Sequence, residues 1–185
     1  DIPAFTLDIQ AEIKSLDNVD AEIDSLAVST QALSTSYLEV ATRLSRARIK
    51  AAKTLERQVT EQLVKLGMHG AIFKVSLTPI ETGVIAPGGL EEVEFLISTN
   101  PGQVPRSLNK IASGGELSRI SLAIQVVTAD TSKVPSLVFD EVDVGIGGAV
   151  AEVVGSLLRN LGGKAQIVCV THLPQVAAQG HQHYL

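Results

Sequence analysis

The spacing of apolar residues between positions 23 and 51 leaves this chain few options. Ile23, Leu26, Thr30, Leu33, Tyr37, Val40, Leu44, Ala47 and Ala51 recur in alternating steps of three and four. That is the seam of a coiled coil, and it is held for about four heptads. Ile9, Ile13, Leu16 and Val19 continue it less regularly, and Asp17, Asn18 and Asp20 predict a break there. Leu55, Val59 and Leu63 then step by four, so the seam drifts toward a helix packed on a domain. A helix is expected from about Ile9 to Leu66, with Gly67 as its left-handed cap. So narrow a seam needs a partner helix, and no second heptad segment is present. The partner is expected from sequence outside this stretch or from another chain. The competing reading is a long helix lying along the globular part.

Beyond Gly67 the periodicity changes. Ile72, Phe73, Val75 and Leu77, and later Val93, Phe95 and Ile97, sit in alternating patterns that predict two antiparallel strands. A Gly-rich turn with Pro87 separates them, and Asn100-Pro101-Gly102 opens a further loop. Helix is expected over Ser113–Ala129, strand over Leu137–Asp140, helix over Gly148–Leu161, strand over Gln166–Thr171 and a short helix from Pro174. Gln182–Leu185 reads as the start of another strand. The late strands are continuous apolar runs, as expected of a parallel sheet covered on both faces. The fold class is therefore α/β. An arm over residues 1–67 precedes a globular part over residues 68–185.

Composition narrows the functional classes. Only 3% of residues are aromatic, against 45% hydrophobic overall, which argues against a surface that stacks bases. The net charge of −5 creates no general attraction to nucleic acid, although Arg43, Arg46, Arg48, Lys50, Lys53 and Arg57 cluster on the helix. The lone Cys169 rules out an internal disulfide, fits a reducing compartment and reads as a small core residue. No apolar run reaches the roughly 20 residues of a membrane span. The chain begins inside a pattern and stops at His183-Tyr184-Leu185, as a piece of a longer protein would.

Three short segments carry the chemistry. Ser113-Gly114-Gly115-Glu116 opens a helix. Ser and Glu at that spacing form a capping box. The glycines are not needed for capping, and bare amides at a helix N-terminus suit an anion such as phosphate. Capping and phosphate binding both stand. Asp140 and Glu141 end an apolar strand, where two carboxylates are costly unless used. One can bind a cation; Mg²⁺ held mainly by phosphate and water needs a single Asp. The other can orient or deprotonate a water. His172 ends the second apolar strand, and ligands bind at that rim of open α/β sheets. Its imidazole can donate to a phosphate oxygen. Asp143, Gly145, Gly147 and Gly148 form either an ordinary connection or a loop that touches a neighbouring subunit. His181 and His183 form a weak candidate metal pair. No GxxxxGK[ST] loop occurs, and Gly162-Gly163-Lys164 reads as a helix stop.

The order of these segments resembles the ATP-binding-cassette superfamily. Ser113–Glu116 is similar to its signature motif, Leu137–Glu141 to Walker B, Asp143 to the D-loop and His172 to the switch histidine. The heptad helix points to the branch of SMC and Rad-type proteins. Lys110–Arg119, Phe139–Ile146 and Val170–Val176 resemble the bacterial SMC-like DNA-repair ATPases within it. The resemblance implies the C-terminal lobe of an ATPase head with its descending arm. An N-terminal lobe with Walker A and an ascending helix would lie elsewhere. It further implies a cytoplasmic, DNA-associated protein whose paired heads sandwich ATP and Mg²⁺ and act at double-strand breaks. Asp140 would hold Mg²⁺, Glu141 would activate water and His172 would sense the terminal phosphate. Ser113, Gly114, Gly115, Glu116 and Asp143 would meet the nucleotide of the other head, and Arg119 would link head closure to the arms. Alone, this stretch would hydrolyse nothing. The alternative is a structural tethering module whose head does not turn over ATP; the retained pair Asp140-Glu141 speaks against it.

Overall fold

The computed structural model describes residues 2–81, 83–111 and 113–184, with the side chains of residues 3–5, 7, 8 and 10–18 left out. Helix α1 runs over Ile2–Lys65 without interruption. The break expected at Asp17–Asp20 is absent, and the helix starts earlier than its periodicity. Asp and Asn cost only a fraction of a kcal/mol each inside a helix, up to about 0.7, and Pro3 lies in the first turn, where a missing N–H does no harm. Ile13 and Leu16 lie outside the described side chains. At the other end Gly67 adopts φ 79°. Its amide donates to the Val64 carbonyl (3.1 Å) and the Met68 amide to the Leu63 carbonyl (3.0 Å). This is a Schellman cap, and it ends α1 where a glycine permits the left-handed turn.

The chain divides into two compact units. The first holds Asp1–Ala47 and Glu81–Leu90. Here the 81–90 loop is tied to α1 by Tyr37, whose hydroxyl lies 3.1 Å from the Ala86 carbonyl, 3.2 Å from the Gly89 carbonyl and 3.3 Å from the Ala86 amide. Thr82, the expected start of this turn region, lies outside the described residues. The seam residues Ile23, Leu26, Leu33, Val40 and Leu44 stay exposed.

The second unit holds Arg48–Ile80 and Glu91–Leu185. Strands β1 (Ile72–Pro79) and β2 (Glu91–Ser98) pair antiparallel, with Phe73 opposite Ile97 and Val75 opposite Phe95. The Phe73 and Phe95 rings pack tilted, 5.3 Å apart. A type II turn follows at Asn100–Gln103, with Pro101 and Gly102 (φ 79°) at its centre and the Gln103 amide bonded to the Asn100 carbonyl. The two-residue β3 (Arg106–Ser107) then adds to β2. As the edge strand, β1 would expose unpaired amides. The end of α1 covers them: Thr60 Oγ1 accepts from the Phe73 amide and Glu56 Oε1 from the Val75 amide.

Helix α2 (Gly114–Thr128), strand β4 (Ser136–Phe139), helix α3 (Gly148–Gly162), strand β5 (Gln166–Cys169) and the single turn α4 (Pro174–Ala177) complete the unit. Strands β4 and β5 run parallel, Leu137 opposite Ile167 and Phe139 opposite Cys169. Val59 and Leu63 of α1, Leu66 just beyond it, Phe73, Ile120, Leu122, Phe139, Val154 and Leu158 form one buried core. Each such side chain contributes about 1.5–3 kcal/mol through its removal from water. One face of the parallel pair is uncovered: Val138, Val168 and Val170 are 72%, 48% and 58% exposed. The expected cover on both faces is thus half met, because the helices of this unit pack on one side only. The strand expected at Gln182 does not form; Gln182–Tyr184 is irregular, and Leu185 lies outside the described residues.

Helices α3 and α4 meet at Gly155. A Cβ there would stand 2.8 Å from Gln179 Cγ, 3.1 Å from the Gln175 carbonyl and 3.2 Å from Val176 Cα. Backbone cannot yield as a side-chain end can. Gly155→Ala is therefore expected to destabilise the fold by about 1–3 kcal/mol. A lowered urea midpoint with unchanged slope checks this.

The rim of the parallel pair and its candidate nucleotide site

Because β4 and β5 are parallel and in register, their C-terminal ends share one rim. Asp140 and Glu141 leave the end of β4. The Val170 amide donates to the Phe139 carbonyl (2.9 Å), and His172 follows two residues later. The rim therefore gathers the carboxylate pair and the imidazole, although His172 lies 32 residues beyond Asp140 in sequence.

The turn after β4 is sharp. Asp140 Oδ1 accepts from the Glu141 amide (2.9 Å), and Glu141 has φ 58°, the only positive value of a non-glycine among the described residues. That conformation costs roughly 1–2 kcal/mol and is held by its surroundings. Three contacts fasten the 140–146 loop to the first turns of α2. Ser118 Oγ donates to the Asp140 carbonyl (2.6 Å). Arg119 Nη1 donates to the Val144 carbonyl (2.7 Å). Gly115 lies so close that a Cβ would be 3.2 Å from both the Glu141 carbonyl and Val144 Cβ. Burial lowers the Arg119 pKa, against an opposing pull from Glu116, and its Nε is buried with no hydrogen-bond partner.

Ser113 caps α2 by accepting from the Glu116 amide (3.4 Å). The capping reading thus accounts for Ser113, and loop packing accounts for Gly115. Gly114 is exposed, but its open side faces this chain's own Glu141, whose Oε2 would lie 1.9 Å from a Cβ on Gly114. A carboxylate beside a helix N-terminus is favoured by the helix dipole.

Asp143 stands apart from its expectation as a contact to a neighbouring subunit. It is 2% exposed and accepts from the Thr171 hydroxyl and from the His172 amide (3.2 Å). Its Oδ2 also lies 3.5 Å from His172 Nδ1. Burial works against its charge, but the Thr171 and His172 hydrogen bonds and the imidazole outweigh it and hold the carboxyl below its ordinary value. The His172 side chain is 70% exposed. Thr171 and Ser118 escaped the sequence reading. Thr171 carried one signal, a hydroxyl at the end of an apolar strand, where a polar group seeks a buried partner.

Asp140 offers one exposed carboxylate at the rim. Among the described residues no group of three or more His, Cys, Asp or Glu is arranged for a metal ion. That donor set fits a Mg²⁺ held chiefly by phosphates and water, not a protein-built cage. Among the described residues, no helix is long and apolar enough to cross a membrane.

Comparison with known proteins bears on this rim. No protein-family model matches the chain. Over 174 residues, 94% of its length, it is 50% identical to a protein described as DNA repair protein RecN from Xylella fastidiosa, and covers 31% of it. It is 46% identical over 170 residues to DNA repair protein RecN from Vibrio cholerae, covering 92% of this chain and 30% of the relative. The chain thus spans under a third of the curated relatives it matches. Among solved structures, it is similar to the Smc head domain with a coiled coil and joint from Pyrococcus yayanosii. That match has a TM-score of 0.53 and 18% identity, over 77% of this chain and 26% of that one. The Smc head domain with an extended coiled coil from Pyrococcus furiosus, bound to the C-terminal domain of ScpA, gives 0.52 and 19%, over 77% and 34%. At such identities the likeness is one of fold.

Two outcomes are expected. Burial, with the nearby Asp143 and Asp140 charges, pushes the Cys169 thiol up to about 11. Alkylation of native protein at pH 8 should therefore be at least about tenfold slower than for a free thiol, and should keep rising with pH toward about 11. Asp143 has its carboxyl lowered on folding, so its contribution is present above the unfolded value near pH 4 (~3.9) and is lost as pH falls through the folded value. The stability difference between wild type and Asp143→Asn, measured by urea unfolding, should be constant near neutrality and narrow below about pH 4.

Proposed function

This chain belongs to the RecN family, and on that premise we propose that it is the C-terminal lobe of an ATPase head together with its descending coiled-coil arm. The arm corresponds to residues 1–67 and the lobe to residues 68–185. The whole protein is an SMC-like ATPase of double-strand-break repair and recombination. Its heads pair around ATP, and pairing drives engagement of DNA ends. The reading is carried by one observation: the parallel β4–β5 pair delivers Asp140, Glu141 and His172 to a single rim, against which the first turn of α2 is packed. The exposed Val138, Val168 and Val170 are where the N-terminal lobe of the head would cover the sheet, and the exposed α1 seam is where the ascending helix would lie.

Each residue then has a task. Asp140 would hold Mg²⁺, which would supply charge neutralisation at the phosphates. Glu141 orients the attacking water and takes its proton. His172 donates to the terminal phosphate of the same head. Ser113 and the amides of Gly114 and Gly115 meet the terminal phosphate held by the twin head. The Glu141 carboxylate lies beside Gly114. Two negative groups repel at one helix N-terminus, so the arriving phosphate displaces Glu141 toward its own water. Pairing of heads and readiness of the base are thereby linked.

The test uses the full-length protein. Glu141→Gln should retain ATP binding, lose turnover by on the order of 10²- to 10⁴-fold and accumulate ATP-dependent dimers in light scattering. Turnover at the wild-type rate would remove Glu141 from its task. Ser113→Arg should abolish ATP-dependent pairing while leaving nucleotide binding in place. The 185-residue chain alone should hydrolyse no ATP.

A further inference from the structure

We propose that Asp143 acts within its own head as the residue that positions His172, and not across the interface between heads. The inference rests on the reading of His172 as the group that meets the terminal phosphate. It departs from the trans contact that the loop's position in the sequence suggests.

Burial carries the first half of the argument. A residue that reaches a neighbour's nucleotide must present its side chain at the surface, and Asp143 is 2% exposed. A buried carboxylate is tolerated only when its oxygens are satisfied. One oxygen, Oδ2, accepts from the Thr171 hydroxyl and from the His172 amide at 3.2 Å, and faces His172 Nδ1 at 3.5 Å. Both donors, and the imidazole nitrogen beside them, belong to the turn that follows β5.

That turn is organised by the same contacts. With its proton directed to Asp143, the Thr171 hydroxyl accepts from the Leu173 amide at 3.1 Å. Leu173 is the N-cap of α4, with Pro174 in its first turn. Backbone and imidazole of His172 are therefore set by one carboxylate. A carboxylate on the Nδ1 side fixes the ring's orientation and leaves Nε2 for the phosphate. The ring itself is exposed, so nothing else buries it into place.

Asp143 also sits in the loop that Ser118 and Arg119 fasten to α2. A displacement of that loop, as when Glu141 leaves Gly114, reaches His172 through Asp143. The imidazole is thereby aligned in the same event that frees the base.

The experiment uses full-length protein with ¹⁵N-labelled histidine, without nucleotide, and steady-state kinetics on the same variants. Asp143→Asn keeps the shape and removes the charge. It should shift the His172 Nδ1 resonance and lower kcat roughly 10- to 100-fold with KM for ATP unchanged. Thr171→Val should move the same resonance, and Thr171→Ser should restore it. The double variant Asp143→Asn/His172→Ala should be no slower than His172→Ala alone, since both act through one group. An unmoved His172 resonance, or additive losses in the double variant, would overturn the positioning role. Full turnover by His172→Ala would instead defeat the phosphate reading of His172, while the resonance still decides whether Asp143 holds the ring.

Discussion

The 140–146 loop must leave β4, reverse direction and still hold its polar groups in fixed places. Everything at the rim depends on the buried Asp143 carboxylate that does this. It takes a hydroxyl and an amide from the turn after β5, so the ends of two parallel strands are joined by side-chain chemistry beyond their ladder. Its charge survives burial because its partners are donors. From the other side, Ser118 and Arg119 bind the loop's carbonyls, and Gly115 allows contact at van der Waals distance. The left-handed Glu141 is the strained point of this arrangement, and it is also the residue proposed to orient the attacking water.

What was legible in the sequence was local. Ser113 and Glu116 announce a cap because the interaction spans three residues, and Gly67 announces a helix end because only its own φ is at issue. Alternation fixed the faces of β1 and β2, since their partners repeat the same period. The convergence of Asp140 and His172 followed from topology alone: parallel strands share an end. The contacts that define the rim were not legible. Asp143 finds its partners 28 and 29 residues away, and Glu141 finds Gly114 only because a helix returns to the loop. The two-residue β3 is too short to carry a period. The uninterrupted α1 at Asp17–Asp20 shows a weak local preference yielding to the helix around it.

The glycines of the α2 N-terminus show how one residue type serves two demands. Gly115 is required by its own chain, because a side chain there would push the loop away. Gly114 is exposed and is crowded only by a movable carboxylate end. The first is an architectural constraint, and the second leaves room for a ligand. Sequence inspection alone treats the two positions as equivalent.

The bare valines of the β4–β5 pair carry a consequence for handling the molecule. Val138, Val168 and Val170 present a β-branched surface on a two-stranded sheet whose edges have no further partner among the described residues. Such a surface invites self-association for as long as it stays uncovered. Expressed by itself, this stretch is expected to need a chaperone or to collect in inclusion bodies, and co-expression with the lobe proposed to cover it should recover it in the supernatant.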